Sequence, residues 1–66
     1  MENKKRLVEA LMYYDIEIVE TGANFIRIGR GYKIEIEANG LYKLFSNEQV
    51  IAPFDDLDEL CRFVLL

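Results

Sequence analysis

The sequence contains no histidine and no tryptophan, and it has one serine, one threonine, one proline and one cysteine. Without histidine, neither a Ser-His-Asp triad nor a Cys-His pair can be assembled for nucleophilic catalysis. One cysteine and no histidine also exclude zinc sites of the finger type. We expect Cys61 to be a structural thiol in a reduced, cytoplasmic protein, because a reactive thiol needs an exposed and electropositive setting.

Long apolar runs and an excess of basic residues are also missing. Nowhere do close to about 20 apolar residues follow one another, and no uninterrupted apolar stretch follows the basic run Lys4-Lys5-Arg6. The sequence therefore predicts neither a signal peptide nor a membrane partner. With 12 acidic and 8 basic residues the formal charge is -4, which disfavours direct nucleic-acid binding through the phosphate backbone.

The share of apolar residues, 52% of the 66 positions, is sufficient for a single folded domain spanning residues 1–66. A domain of this size buries only about 60% of the surface that its unfolded chain exposes, so its stability is a small margin. The apolar share also exceeds what one small core needs, which leaves a homodimer open as an alternative.

Hydrophobic periodicity is the strongest signal in the chain. Large apolar residues occupy even-numbered positions from Ile16 to Leu44, and charged residues mostly lie between them. A period of two predicts strands with one buried and one solvent-exposed face. The predicted strands are Asp15–Glu20, Asn24–Ile28, Tyr32–Glu37 and Leu41–Phe45. A fifth strand, Gln49–Ala52 followed by Pro53, stays open because the adjacent apolar residues Val50 and Ile51 leave its register undecided.

The alternation also predicts how the strands pair. A two-residue turn at Asn39-Gly40 is the usual hairpin signal, but it would place Lys43 on the apolar face. A three-residue loop with Gly40 in the left-handed region sets Ile36 opposite Tyr42 and keeps that face apolar. Loops of odd length at Gly29-Arg30-Gly31 and around Gly22 follow from the same argument. The further predicted pairs are Ile34 with Leu44, Glu35 with Lys43, Ile26 with Ile34, Ile18 with Ile26, Glu17 with Arg27 and Val19 with Phe25.

Helical patterns flank the strands on both sides. Asn3 is the predicted N-cap of a first helix running to about Tyr14. Asp55 or Asp56 is expected to cap a second helix, which has the acidic residues Asp58 and Glu59 in its first turn. The apolar stripes are Leu7, Leu11 and Tyr14 in the first helix and Leu57, Leu60, Cys61 and Val64 in the second.

Together these elements predict an α+β fold, an antiparallel meander of four or five strands with both helices packed on its even-numbered face. The odd-numbered face is then open to solvent. It carries the apolar residues Val19, Phe25, Leu41 and Phe45 among charged side chains, which is the ordinary composition of a binding surface.

Two motifs come close to known chemistry. The acidic cluster from Asp55 to Glu59 lacks the alternating ligand spacing of a calcium loop, so it is interpreted as a helix cap. Gly29-Arg30-Gly31 has no helix after it and is interpreted as a hairpin turn that presents Arg30, not as a phosphate-binding loop. The carboxylates of the open face lie in water and have no pairing that would separate their pKa values. We therefore expect no enzyme activity, no metal site and no cofactor.

In layout and acidity the chain resembles small phage-encoded inhibitors of bacterial defence, such as some anti-CRISPR proteins, which also join helices to a short antiparallel meander. This resemblance implies a non-catalytic inhibitor or regulator that binds a larger protein. Its acidic outer residues, Asp15, Glu17, Glu35 and Glu37, would face a basic nucleic-acid-binding groove on the target.

The predicted function is thus a small acidic protein-binding module. Its partner-binding residues are Asp15, Glu17, Val19, Phe25, Arg27, Arg30, Lys33, Glu35, Glu37 and Phe45. One alternative is a self-assembling accessory or structural subunit that associates through Phe63, Leu65 and Leu66. Another is a nucleic-acid-binding domain that uses Lys4, Lys5, Arg6, Arg27, Arg30 and Lys33.

Overall fold

Residues 2–66, which the computed structural model describes, form two helices and a five-stranded antiparallel sheet. In chain order the elements are α1 (Glu2–Tyr13), β1 (Ile18–Thr21), β2 (Phe25–Ile28), a 3-10 turn (Gly29–Gly31), β3 (Tyr32–Ile36), β4 (Tyr42–Ser46), β5 (Gln49–Phe54) and α2 (Leu57–Val64). The strands neighbour one another in the order in which the chain makes them. This confirms the predicted α+β fold and shows that the fifth strand is present.

The two central hairpins have the predicted register. Ile34 pairs with Ile26 on one side and with Leu44 on the other, and Ile36 pairs with Tyr42. Gly40 has a φ of +86°, so the loop between β3 and β4 takes the left-handed residue that the three-residue alternative requires. The buried face therefore selects the pairing here, as the alternation predicts.

The register predicted for β1 against β2 is wrong. Ile18 lies opposite Ile28, not Ile26, and the isoleucine at 26 lies opposite Thr21. The loop is shorter than expected, because the amide of Gly22 donates to the carbonyl of Phe25 at 2.8 Å. A bulge between Ile18 and Glu20 then returns the strand to the correct face.

The last strand also departs from the prediction at its end. It continues through Pro53, which pairs with Lys43, and reaches Phe54. Proline is tolerated because β5 is an edge strand and needs hydrogen bonds on one side only. A second bulge at Ile51 lets Ala52 oppose Leu44 while Val50 opposes Phe45.

Both edge strands of the sheet thus contain a bulge, at Val19 in β1 and at Ile51 in β5. A bulge leaves one residue unpaired and twists the strand locally, which makes an edge a poor template for another strand. The exposed edges of this meander are therefore unsuited to regular strand-to-strand association.

The helix ends are built by local hydrogen bonds. α1 includes Asn3, so the prediction that Asn3 caps it is wrong. Its C-terminus is closed by Asp15 at φ 59°, with the amide of Ile16 donating to Leu11 at 2.8 Å, a Schellman arrangement. α2 begins as predicted, because the Asp56 carboxylate accepts from the amide of Asp58 at 2.8 Å.

The core lies between the even face of the sheet and the two helices, as predicted. Its buried residues are Leu7, Leu11, Ile16, Ile26, Ile28, Ile34, Tyr42, Leu44, Leu60, Cys61 and Val64. Burial raises the pKa of the Cys61 thiol to about 11, and the nearby Asp58 carboxylate adds to this. Cys61 is therefore the inert structural thiol that the sequence predicts.

Two side-chain contacts hold α2 against the rest of the domain. The hydroxyl of Tyr14 donates to the Asp58 carboxylate at 3.1 Å and links the two helices. At the other end of α2, the guanidinium of Arg30 donates to the carbonyls of Val64 at 2.9 Å and Leu66 at 3.3 Å. These carbonyls have no partner within the helix, so Arg30 acts as a C-terminal cap supplied by a distant hairpin.

Candidate functional site

The face of the sheet opposite the helices brings several of the predicted site residues together. Strand pairing arranges it in two rows that cross the sheet. One row consists of Glu20, Arg27, Lys33, Phe45 and Val50, and the other of Phe25, Glu35, Lys43 and Pro53. We call this surface the open face.

Four side chains at the centre of the open face form an aromatic–cation cluster, which we define as Phe25, Arg27, Lys33 and Phe45. The ammonium nitrogen of Lys33 lies 4.8 Å from the centre of the Phe45 ring and 5.8 Å from that of Phe25. The guanidinium carbon of Arg27 lies 5.8 Å from the centre of the same Phe25 ring. Both cations are within the range where the electron-rich ring face attracts positive charge.

The like charges of Arg27 and Lys33 are directly opposite each other on neighbouring strands. Two carboxylates offset this repulsion: Glu20 lies 3.1 Å from Arg27, and Glu35 lies 3.2 Å from Lys33. The side chain of Lys33 is only 24% exposed, whereas that of Arg27 is 54% exposed. The cluster therefore holds one cation half-buried between two aromatic rings and a second cation at its rim.

A third ion pair, between Glu37 and Lys43 at 3.7 Å, completes the charge pattern of the open face. The three acidic and three basic side chains in these pairs balance one another. The chain's excess of negative charge consequently lies outside the open face, for instance at the start of α2. A surface of this kind is complementary to a partner with both apolar and mixed-charge character.

Gly22 positions the aromatic ring at one end of the cluster. A Cβ at this position would lie 1.9 Å from Cε1 of Phe25, so the ring covers the glycine directly. Aromatic side chains placed over a cross-strand glycine make up for the packing that glycine lacks. From the sequence Gly22 is expected in a turn. Its contact with Phe25 was not predicted, because only the strand register shows that Gly22 and Phe25 are opposed.

Six predicted partner-binding residues lie outside the cluster, and three of them are Asp15, Glu17 and Arg30. Asp15 ends α1, and Glu17 lies beside Gly29 with its carbonyl accepting from the Gly29 amide at 3.0 Å. Arg30 is not presented for binding from its turn, because its guanidinium is engaged by the carbonyls that follow α2. Its φ of 68° is a left-handed conformation within the 3-10 turn.

The remaining predicted residues surround the cluster. Val19 is 60% exposed at the bulge of β1 and does not face Phe25 as predicted. Glu35 and Glu37 lie on the open face, each in an ion pair. This face also carries Glu20, Val50 and Pro53, which the alternation does not predict, because the bulges in β1 and β5 have no signature in it.

Acidic residues and Cys61 supply the side chains among residues 2–66 that commonly ligate metal ions. Within that range no group of three or more histidine, cysteine or acidic side chains is placed to hold a metal ion. Partial burial raises the pKa of the Tyr14 phenol, and its hydrogen bond to Asp58 raises it further. None of the helices in the described part of the chain is long and apolar enough to cross a membrane.

Comparison of the chain with protein-family models, with curated proteins and with solved structures finds no match in any of the three.

Proposed function

We propose that this chain is a non-catalytic protein-binding module that regulates or inhibits a larger protein by docking its open face. The observation that carries the proposal is the aromatic–cation cluster, which places Phe25, Phe45 and Lys33 on a side of the sheet that neither helix covers. Phenylalanine is among the residues enriched at the buried centre of protein interfaces, as are tyrosine, tryptophan and arginine.

The manner of docking follows from the edges of the sheet. Strand addition would need a regular edge, and both β1 and β5 are interrupted by bulges. The open face is pre-arranged by cross-strand pairs and carries three ion pairs. A partner is therefore proposed to lie across the strands and to cover the cluster, with polar contacts at its rim.

The balance of charges on the open face restricts the kind of partner surface that we propose. Each acidic residue of the open face that could imitate a phosphate has a cation within 4 Å: Glu20, Glu35 and Glu37 are all paired. We therefore favour a partner surface that carries both signs of charge over a uniformly basic groove. An inhibitor of the anti-CRISPR kind, placed in a nucleic-acid-binding groove, remains a prediction that rests on layout and acidity.

The test uses the whole chain immobilised as bait, with two matched variants. Phe45→Ser and Lys33→Glu change the cluster, whereas Met12→Ser removes an exposed apolar side chain on α1, away from the open face. A genuine partner binds the parent chain and the Met12 variant, and binds the cluster variants at least about tenfold more weakly in titrations with purified protein.

Salt dependence separates the two kinds of partner. Binding to a groove that normally holds nucleic acid should weaken steeply as salt rises, whereas docking on a mixed surface should change little. A partner whose affinity is the same for the parent chain and both cluster variants would overturn the proposal that the open face is the binding site.

A further inference from the structure

A second surface, on the helix layer, has the composition of an interface and lies away from the open face. It is a shallow groove between the end of β5 and α2, lined by Phe54, Glu59, Arg62, Phe63 and Leu66. We call it the α2 groove. The rings of Phe54 and Phe63 lie 5.8 Å apart at a tilt of 48°, and Leu66 is 95% exposed. An apolar strip therefore reaches the surface between two charged residues of opposite sign.

The arrangement of the two charges indicates what the groove binds. Glu59 and Arg62 are three residues apart on α2, so they lie on the same side of the helix. Within residues 2–66 they form no ion pair with each other or with another side chain. The one bond that Arg62 makes runs from its Nε to the carbonyl of Asp58 at 3.3 Å, and this leaves the outer nitrogens of its guanidinium for another acceptor.

We propose that the α2 groove binds the α2 groove of a second copy of this chain. A twofold axis passing between Glu59 and Arg62 would set two antiparallel α2 helices side by side. Each glutamate then meets the arginine of the other copy, and two equivalent ion pairs form. Such self-complementarity is the requirement that a symmetric dimer places on its surface.

The apolar side chains of the groove flank the two ion pairs of this dimer. Phe54, Phe63 and Leu66 of each copy lie beside the twofold axis and are covered by the other copy. Five residues line the groove, fewer than the roughly 20–30 that each partner contributes to a standard interface, so we expect a weak dimer in the micromolar range or above. A small domain with little buried surface gains stability from this association.

The dimer leaves the proposed binding surface free. The α2 groove belongs to the helix layer, whereas the open face is the opposite side of the sheet. Two copies joined through α2 would therefore carry two open faces and could engage a partner with repeated or paired sites. The dimer does not depend on that proposed function, since its test uses this chain alone.

Charge reversal tests the dimer, and sedimentation of the purified chain over concentrations from about 1 µM to about 1 mM measures it. Glu59→Arg and Arg62→Glu each place like charges opposite each other and should weaken dimerisation at least about tenfold. Mixing the two variants restores opposite charges in both contacts, so a heterodimer should form although neither variant associates with itself. The double variant, Glu59→Arg with Arg62→Glu, should dimerise like the parent.

A matched control, Glu9→Arg, reverses an exposed charge on α1 outside the groove and should leave the dimer unchanged. Unfolded variants could not form a heterodimer when mixed. A heterodimer in the mixture therefore shows that each single variant has lost the interface and not the fold. A chain that stays monomeric up to about 1 mM, or a dimer that withstands both reversals, overturns the proposal.

Discussion

Lys33 and Phe45 face each other across β3 and β4, and the lysine ammonium lies 4.8 Å from the centre of the aromatic ring. Their neighbours decide how strong this contact is. Glu35 pairs with the same ammonium at 3.2 Å, while Arg27 opposes it with a like charge. The lysine is held in place by two aromatic contacts, with Phe45 and Phe25, and by one ion pair, against one repulsion.

A double-mutant cycle should measure the aromatic contact by itself. The coupling free energy between Lys33→Met and Phe45→Leu should be about 0.5–1 kcal/mol, although Lys33→Met alone changes stability little because it also removes the repulsion from Arg27. Lys43→Met is the control, since Lys43 makes no ring-stacking contact within residues 2–66. Equal coupling for both lysines, measured by urea unfolding, would contradict the stacking geometry.

Gly22→Ala should destabilise the domain by about 1 kcal/mol or more, because the new methyl group occupies the space of the Phe25 ring and displaces it. The ring then moves away from Arg27 and Lys33, and its chemical shifts should change. Gly29→Ala is a suitable control, because the nearest atom to a Cβ there, Oε1 of Glu17, is 3.4 Å away. Comparable losses for the two variants would show that the effect comes from the backbone and not from the ring.

Arg30 has a strained backbone conformation, and its side chain donates hydrogen bonds to the carbonyls that follow α2. Arg30→Ala should cost about 1–2 kcal/mol, because the carbonyls of Val64 and Leu66 lose their donor. Arg30→Gly loses the same bonds but relieves the positive φ of 68°, so it should be more stable than the alanine variant by about 1 kcal/mol. Urea midpoints measure both, and identical values would argue against the left-handed conformation at this residue.

Glu48→Gly should stabilise the protein by up to about 1 kcal/mol. Asn47 and Glu48 form the two-residue turn between β4 and β5, with φ values of 53° and 64°, the type I′ pattern in which glycine is preferred at the second position. Glu48→Gln removes the charge and keeps the backbone strain, so it should leave the unfolding midpoint nearly unchanged. A stabilising glutamine variant would assign the effect to charge.

Cys61 should make the free energy of unfolding fall at alkaline pH. Its pKa rises from 9.0 in the ordinary thiol to about 11 in the folded state, so the folded form holds the proton more tightly. The resulting stability is fully present below pH 9 and is lost as the pH rises toward 11. The free energy of unfolding should fall more steeply over this range in the parent chain than in Cys61→Ala. Parallel slopes would contradict the raised pKa.

The turns show where sequence reasoning succeeds and where it fails. At Asn39-Gly40 the usual two-residue signal is present, yet the apolar face requires a longer loop, and the pairing of Ile36 with Tyr42 confirms this. The two-residue turn between β4 and β5, Asn47-Glu48, has glutamate where glycine is preferred, so it carries no turn signal in the sequence. A buried face is a collective property of many residues and outweighs the preference of any single turn.

The bulges explain the other differences. A bulge at Val19 adds one unpaired residue to β1. It turns Glu20 onto the open face while Ile16 and Ile18 stay on the core side, so the alternation from Ile16 onward is compatible with more than one register for β1. The prediction consequently paired Arg27 with Glu17, whereas its partner is Glu20. The centre of the open face was predictable because Lys33 and Phe45 lie in bulge-free pairs between β3 and β4. The rim of the open face was not predictable from the sequence. The hydrogen bond from Arg30 to the Val64 carbonyl at the end of α2 was not predictable either.

The order of the strands has a consequence for how quickly the chain reaches this structure. Each strand pairs with its neighbours in the sequence, so the sheet forms by closing short loops and needs no pairing with a distant segment. Short loops carry a small entropic penalty, and proteins rich in local contacts cross the folding barrier sooner than sandwiches or barrels of similar size. The contact between α1 and α2 is the long-range one, because the two helices come from opposite ends of the chain and pack on each other.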